Sequence, residues 1–225
     1  MSFLRRYQEF YKDNGLIQTL KRIILKPLRY FNKRRAYKNL NNTKNIRKEL
    51  IKLIQKYNIK FFLDIPCGDF NWIKNIINKD IKYIGGDIVK ELIDRNNKKF
   101  SQTNVQFIEF DILRNRLPSA DILLCRDCLI HFSYKNIKKF LNNFVNSEIE
   151  YLLITSYESN RNNSEQNYEI DDGDFRPLFL MKRPFNLPEP LDKIVDKDIE
   201  HNKNSNLKCY LYLYSKNQLK YLIEN

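Results

Sequence analysis

The sequence predicts an α/β fold, a mostly parallel sheet covered by helices on both faces. Three observations predict it. Short apolar runs alternate with amphipathic segments between residues 43 and 157. Successive runs end in acidic or polar residues, Asp64, Asp87, Asp111 and the pair Arg126-Asp127. A tight turn, Pro66-Cys67-Gly68-Asp69-Phe70, follows the first run, and Asp87 stands nineteen residues beyond Gly68. In open parallel sheets ligands bind at the carboxyl ends of strands, so each of these positions is a candidate site.

Residues 1–40 read as one or two basic helices interrupted at Pro27, where the amide is missing and the ring clashes with the preceding turn. Thr43 is placed to cap a helix over 44–57, whose Ile46, Leu50, Leu53 and Ile54 share one face. Strand 61–65 leads through the turn to a helix over 72–78. Strand 83–86 precedes a helix over 89–99. Strands at 105–110 and 122–125 follow, then a helix over 134–146 and a strand over 151–155. Residues 158–206 are polar and hold Pro177, Pro184, Pro188 and Pro190, which predicts a long ordered loop or hairpin acting as a lid. Residues 208–215 alternate as a last strand, with a short helix behind. The domain reading is thus a basic extension at 1–40 and one catalytic domain over 41–225, with its insert at 158–206.

Composition narrows the function classes. The formal charge is +13, but Lys and Arg outnumber Asp and Glu eleven to two within residues 1–40, which leaves the remainder only mildly basic. That extension suits packing on the body, contact with an anionic membrane surface, or nucleic acid. The body lacks the interleaved basic and aromatic strand face of a dedicated RNA-binding module. No apolar run reaches the roughly 18 residues needed to span a bilayer, and no signal-peptide pattern opens the chain. Cys125 and Cys128 have CxxC spacing, but a zinc site needs two more soft ligands, and His131 and His201 are the only histidines. No metal is expected, and the four cysteines read as reduced thiols of a cytoplasmic protein, with a place at the inner face of the membrane as the alternative that the basic extension offers.

The turn and the spaced carboxylate suit an adenosine-containing cofactor, with the backbone approaching it closely and the carboxylate receiving ribose hydroxyls. A nicotinamide dinucleotide fits poorly, because one glycine remains in the turn and Asp69 would repel a pyrophosphate. Acidic residues suit a cationic sulfonium cofactor better. His131 is the best candidate for a general base. Asp127 either orients His131 from four residues away on one helical face or serves as the base itself. Arg126 suits a carboxylate of the cofactor or of an anionic substrate, and Asp87 and Asp111 could instead cap helices. Trp72 reads as core.

These motifs resemble the class I S-adenosylmethionine-dependent methyltransferases. Asp64-Ile65-Pro66-Cys67-Gly68-Asp69-Phe70 looks like their first motif, with Pro66 and Phe70 where two of the family's glycines usually stand. Asp87-Ile88 matches the ribose-binding position and Asp111-Ile112 the position near the adenine. Together with Cys125 to Ser133 and Arg176 to Leu191, the motifs resemble a bacterial subgroup associated with cell-surface polysaccharide loci. The resemblance implies a Rossmann-like, seven-stranded sheet and S-adenosyl-L-methionine as cofactor, held by Asp64, Pro66, Cys67, Gly68, Asp69, Asp87, Ile88, Asp111, Ile112 and Arg126. It implies O-methylation of a small-molecule or glycan-linked acceptor, with Arg176 and Asn186 on the acceptor side. RNA methylation and a non-catalytic cofactor-binding scaffold are the alternatives.

Overall fold

The computed structural model describes residues 43–159, 165–197 and 207–223. The basic segment 1–40 lies outside them. Four α-helices and seven strands follow in the order α1 (Lys44–Lys56), β1 (Phe61–Asp64), β2 (Lys82–Asp87), α2 (Lys90–Phe100), β3 (Val105–Glu109), β4 (Ile122–Cys125), α3 (Tyr134–Val145), β5 (Tyr151–Ser159), β6 (Asp192–Lys197), β7 (Leu207–Ser215) and α4 (Lys216–Ile223). Together the strands form one sheet in the order β3-β2-β1-β4-β5-β7-β6. Pairing is parallel from β3 through β5, and only β7 runs against its neighbours. This is the Rossmann-like arrangement expected. Strand order reverses between β1 and β4, and the crevice at their carboxyl ends is where such sheets take ligands.

Period-two alternation sends successive strand residues to opposite faces. Leu63, Leu123 and Leu152 pack with Tyr210, Tyr212 and Tyr214 beneath α3 and α4. Phe62, Leu124 and Leu153 pack with Leu211 and Leu213 beneath α1 and α2. Both faces are therefore apolar, and β4 is buried along its whole length. The α1 stripe Ile46, Leu50, Leu53 and Ile54 is buried as its spacing requires, although the Thr43 side chain makes no cap bond. Ser133 does cap α3, accepting from the Asn136 amide.

One expectation is corrected. No α-helix spans 72–78: a single 3-10 turn, Ile73–Asn75, stands there. Phe70 takes a left-handed φ of 58° and its ring is buried against Tyr83, Phe100 and Phe107. That anchor, with the Asp69 carboxylate accepting the Asn71 amide at 3.1 Å, spends the segment on a turn rather than a helix. The insert supplies β6, which pairs antiparallel with β7 and completes the sheet. Its stretch 165–187 is a strap pinned to the core by Leu178, Leu180, Phe185 and Leu187.

Candidate active site

The turn after β1 is braced from three sides. Gly68, at φ 58°, donates its amide to Asp87 Oδ2 at 3.3 Å, and its carbonyl accepts from Asn96 Nδ2 of α2 at 2.8 Å. The Cys67 amide donates to the Gly86 carbonyl at 2.8 Å. This close approach is why β2 carries two glycines: a Cβ on Gly85 would stand 3.0 Å from Cys67 Cβ and 2.8 Å from Phe107 Cδ1. A Cβ on Gly68 would meet nothing within 4 Å, so the turn borders open space there. Pro66 enters the turn through a cis peptide bond with Ile65. Asn96 was not legible as a site residue; its only signal is a polar side chain on the same helical face as Leu92 and Ile93.

Asp87 is 7% exposed, and its Oδ1 also accepts the Val89 amide at 3.0 Å. Its carboxylate is thereby fixed at the end of β2, with half-buried Ile88 beside it. Asp64 lies deeper. Burial pushes its carboxyl up to about 7, against the pull of the Tyr83 hydroxyl, which donates at 2.8 Å, and of the Arg126 charge. Asp64 therefore supports the turn from within the core. The Cys67 thiol is pushed up strongly by burial and by the Asp64 and Asp87 charges, which keeps it from acting as a nucleophile.

Other expected positions are held by the protein itself. Asp69 is exposed. Asp111 accepts the Leu113 amide on Oδ1 at 2.9 Å, while its Oδ2 stands 3.5 Å from Arg114 Nε, which is the geometry of a turn cap. Ile112 is buried in the core. Arg126 presents Nε and Nη2 to the two oxygens of Asp196 at 2.9 and 2.7 Å, and its guanidinium lies over Trp72 at 4.9 Å. The expected anion partner of Arg126 is thus Asp196 of β6. Trp72 is a half-buried platform for that guanidinium. Ligand atoms of Asp127, Asp196 and Cys209 lie within 4.8 Å of one another, the one such group among the described residues, but Arg126 already neutralises Asp196.

His131 ends a 3-10 turn, Leu129–His131, after β4. Asp127 lies outside that turn at φ 54°, and its amide donates to Thr155 Oγ1 at 2.8 Å. One expectation is therefore corrected, because no helical face relates Asp127 to His131. The strap orients the ring instead, with Nδ1 2.7 Å from the Asp174 carbonyl. A carbonyl only accepts, so Nδ1 carries the proton and Nε2 is left as the basic nitrogen. Gly173 donates its amide to the His131 carbonyl, Arg176 donates its own to the Ile130 carbonyl, and Phe175 lies against the imidazole at 5.9 Å. Arg176 is fully buried, with Nη1 donating to the Phe132 carbonyl at 2.8 Å. Burial lowers its pKa, while Tyr134 and Glu169 hold it up. Asn186 is an exposed turn residue at φ 48° whose amide donates to Lys182.

Residues 62–147 match the methyltransferase domain family. That segment of the chain is similar to the methyltransferase domain. The match runs from β1 through α3 and so contains the braced turn, Asp87 and His131. No curated protein matches the chain. Among solved structures the chain is similar in fold to Burkholderia thailandensis 1,6-didemethyltoxoflavin-N1-methyltransferase with bound 1,6-didemethyltoxoflavin and S-adenosylhomocysteine. Their TM-score is 0.61 at 11% identity, covering 96% of this chain and 91% of that one. The methyltransferase domain of bacterial CtHen1-C gives 0.54 at 12%, covering 77% and 98%. An S-adenosylmethionine-dependent methyltransferase from Clostridium acetobutylicum gives 0.52 at 16%, covering 75% and 90%.

Proposed function

We propose that the methyltransferase O-methylates a small polar or glycan-linked acceptor, with cofactor bound across the carboxyl ends of β1 and β2 and His131 as general base. The fixed tautomer of His131 carries this reading. With Nδ1 engaged by the Asp174 carbonyl, Nε2 is the basic ring nitrogen, the one that would take a hydroxyl proton as the nucleophile attacks.

The donor set fits the cofactor. Asp87 offers a fixed carboxylate for ribose hydroxyls, and the Gly68 turn faces open space on the side where a ligand must approach. When bound, S-adenosylmethionine supplies an electrophilic methyl group on its sulfonium. The protein's share is to align the acceptor oxygen and exclude water. The β4–α3 loop, held by strap residues 173–176, places His131 for that task. A polysaccharide-linked acceptor is the reading that the motif resemblance favours. Incubation with methyl-labelled cofactor and separate pools of sugars, nucleotide sugars and RNA tests it. Label in an O-methyl sugar supports the proposal, and label confined to RNA or to an amine overturns it.

A further inference from the structure

Phe175 is 48% exposed, yet its ring lies against the His131 imidazole, with centroids 5.9 Å apart. A single exposed apolar side chain is ordinary on a loose loop, but this one is held. On one side of it Gly173 donates its amide to the His131 carbonyl at 2.7 Å, and His131 Nδ1 donates to the Asp174 carbonyl at 2.7 Å. On the other side Arg176 donates its amide to the Ile130 carbonyl at 3.1 Å, with its own side chain buried. The strap thus fixes the phenyl ring and the imidazole in one frame. A ligand can cover Phe175 without displacing any protein group, because the ring already faces solvent.

The polar groups around that ring are of one kind. Between 168 and 176 the strap carries Glu169, Asp171, Asp172 and Asp174, and its only cation is Arg176. Arg176 is buried, whereas Glu169 and Asp171 are exposed and Asp174 is half-buried. Ionised carboxylates only accept hydrogen bonds, and each has about four acceptor sites. The bonds that Glu169 and Asp172 make to the Tyr134 and Ser133 amides at the start of α3 use part of that capacity. Such a surface favours a ligand that brings several donors and no negative charge. Tyr168, 53% exposed, adds a second aromatic side chain to the same strap.

We propose that Phe175 is the platform on which the acceptor lies, and that the acceptor is an uncharged, polyhydroxylated ring of the pyranose type. One face of such a ring is a plane of C–H bonds that covers an aromatic side chain. Its rim carries hydroxyl donors for the carboxylates and one hydroxyl for His131 Nε2. A phosphorylated or acidic sugar meets the negative charge of the strap and is selected against. This rests on the reading of His131 as general base and adds the shape and charge of the acceptor.

The test uses the full chain saturated with S-adenosylhomocysteine. Saturation-transfer NMR is run with the methyl pyranosides of glucose, galactose and mannose, with their 6-phosphates, and with phenol. At least one pyranoside is expected to receive saturation on its ring C–H protons and to bind more tightly than its 6-phosphate or phenol. Phe175→Ala should weaken that pyranoside by about tenfold, as the loss of one aromatic contact allows. Phe175→Trp should retain it, and S-adenosylhomocysteine affinity should be the same in both variants. No response from any pyranoside, equal affinity in Phe175→Ala, or a 6-phosphate or phenol that binds as tightly as the best pyranoside overturns the proposal. Failure of the wild type to bind S-adenosylhomocysteine removes the methyltransferase reading, and this proposal falls with it. Bound S-adenosylhomocysteine with no pyranoside response removes this proposal alone.

Discussion

Replacing Asp87 by Ala separates a ligand-binding carboxylate from a turn cap. In the folded chain Asp87 accepts two backbone amides, from Gly68 at 3.3 Å and Val89 at 3.0 Å. The first is long and the second ordinary, so the pair adds roughly 1–2 kcal/mol to stability. A shift of 2–4 °C per kcal/mol, typical of a chain this size, puts the drop in melting temperature at about 2–8 °C. Cofactor binding should suffer more. Hydrogen bonds from two ribose hydroxyls to a charged acceptor contribute about 1.5–3 kcal/mol each. Their loss weakens affinity by about 100-fold or more. Calorimetry with S-adenosylhomocysteine on wild type and Asp87→Ala, alongside a melting curve, gives both numbers. A folded variant whose affinity stays within about threefold of wild type would refute the reasoning. Asp87 would then be only a brace for the Gly68 turn.

His131→Ala should lower turnover by about 10²- to 10⁴-fold, the usual range for a lost general base, with S-adenosylhomocysteine affinity unchanged. Intact turnover transfers the role to Asp127. Asp196→Ala leaves the part-buried Arg126 guanidinium with only the Asp127 carboxylate, 3.9 Å away, which costs at most about 3–5 kcal/mol; an unchanged thermal midpoint would show that the pair contributes nothing. Asp64 gives a pH prediction. Its folded pKa of about 7 lies above the ordinary value of 3.8, so its contribution is fully present at low pH and is lost as pH rises toward 7. Denaturant unfolding from pH 4 to 8 should therefore show Asp64→Asn gaining on wild type as pH rises, with no further gain above about 8. Parallel curves would contradict a raised Asp64.

Where local pattern and burial agree, the sequence was enough. The apolar runs that became β1 and β4 end at Asp64 and Cys125 because both are buried on two faces and stop at polar residues. The stripe of α1 and the Gly68–Asp87 spacing were equally direct. What escaped depended on distant partners. The helix expected over 72–78 gives way to the aromatic anchor of Phe70, whose contacts come from β2, α2 and β3. The β6 strand carries a mixed sequence and is held by pairing with β7 rather than by its own pattern. Arg126 reads as a ligand-binding cation until Asp196, seventy residues away, is folded against it. The partner of His131 likewise comes from the strap, forty-three residues on.

A cavity beside the start of β3 provides the decisive contrast for the cofactor site. Its volume is about 390 Å³, and it is lined by residues including Phe70, Lys74, Phe100 and Val105. It lies beside the start of β3, whereas Asp87 and the Gly68 turn lie at the carboxyl ends. A crystal structure of the chain with S-adenosylhomocysteine measures which one is used. The ribose hydroxyls are expected within hydrogen-bond distance of Asp87 and the ligand against the Gly68 turn. Density in the Phe70–Phe100 cavity, with none beside Asp87, would contradict it.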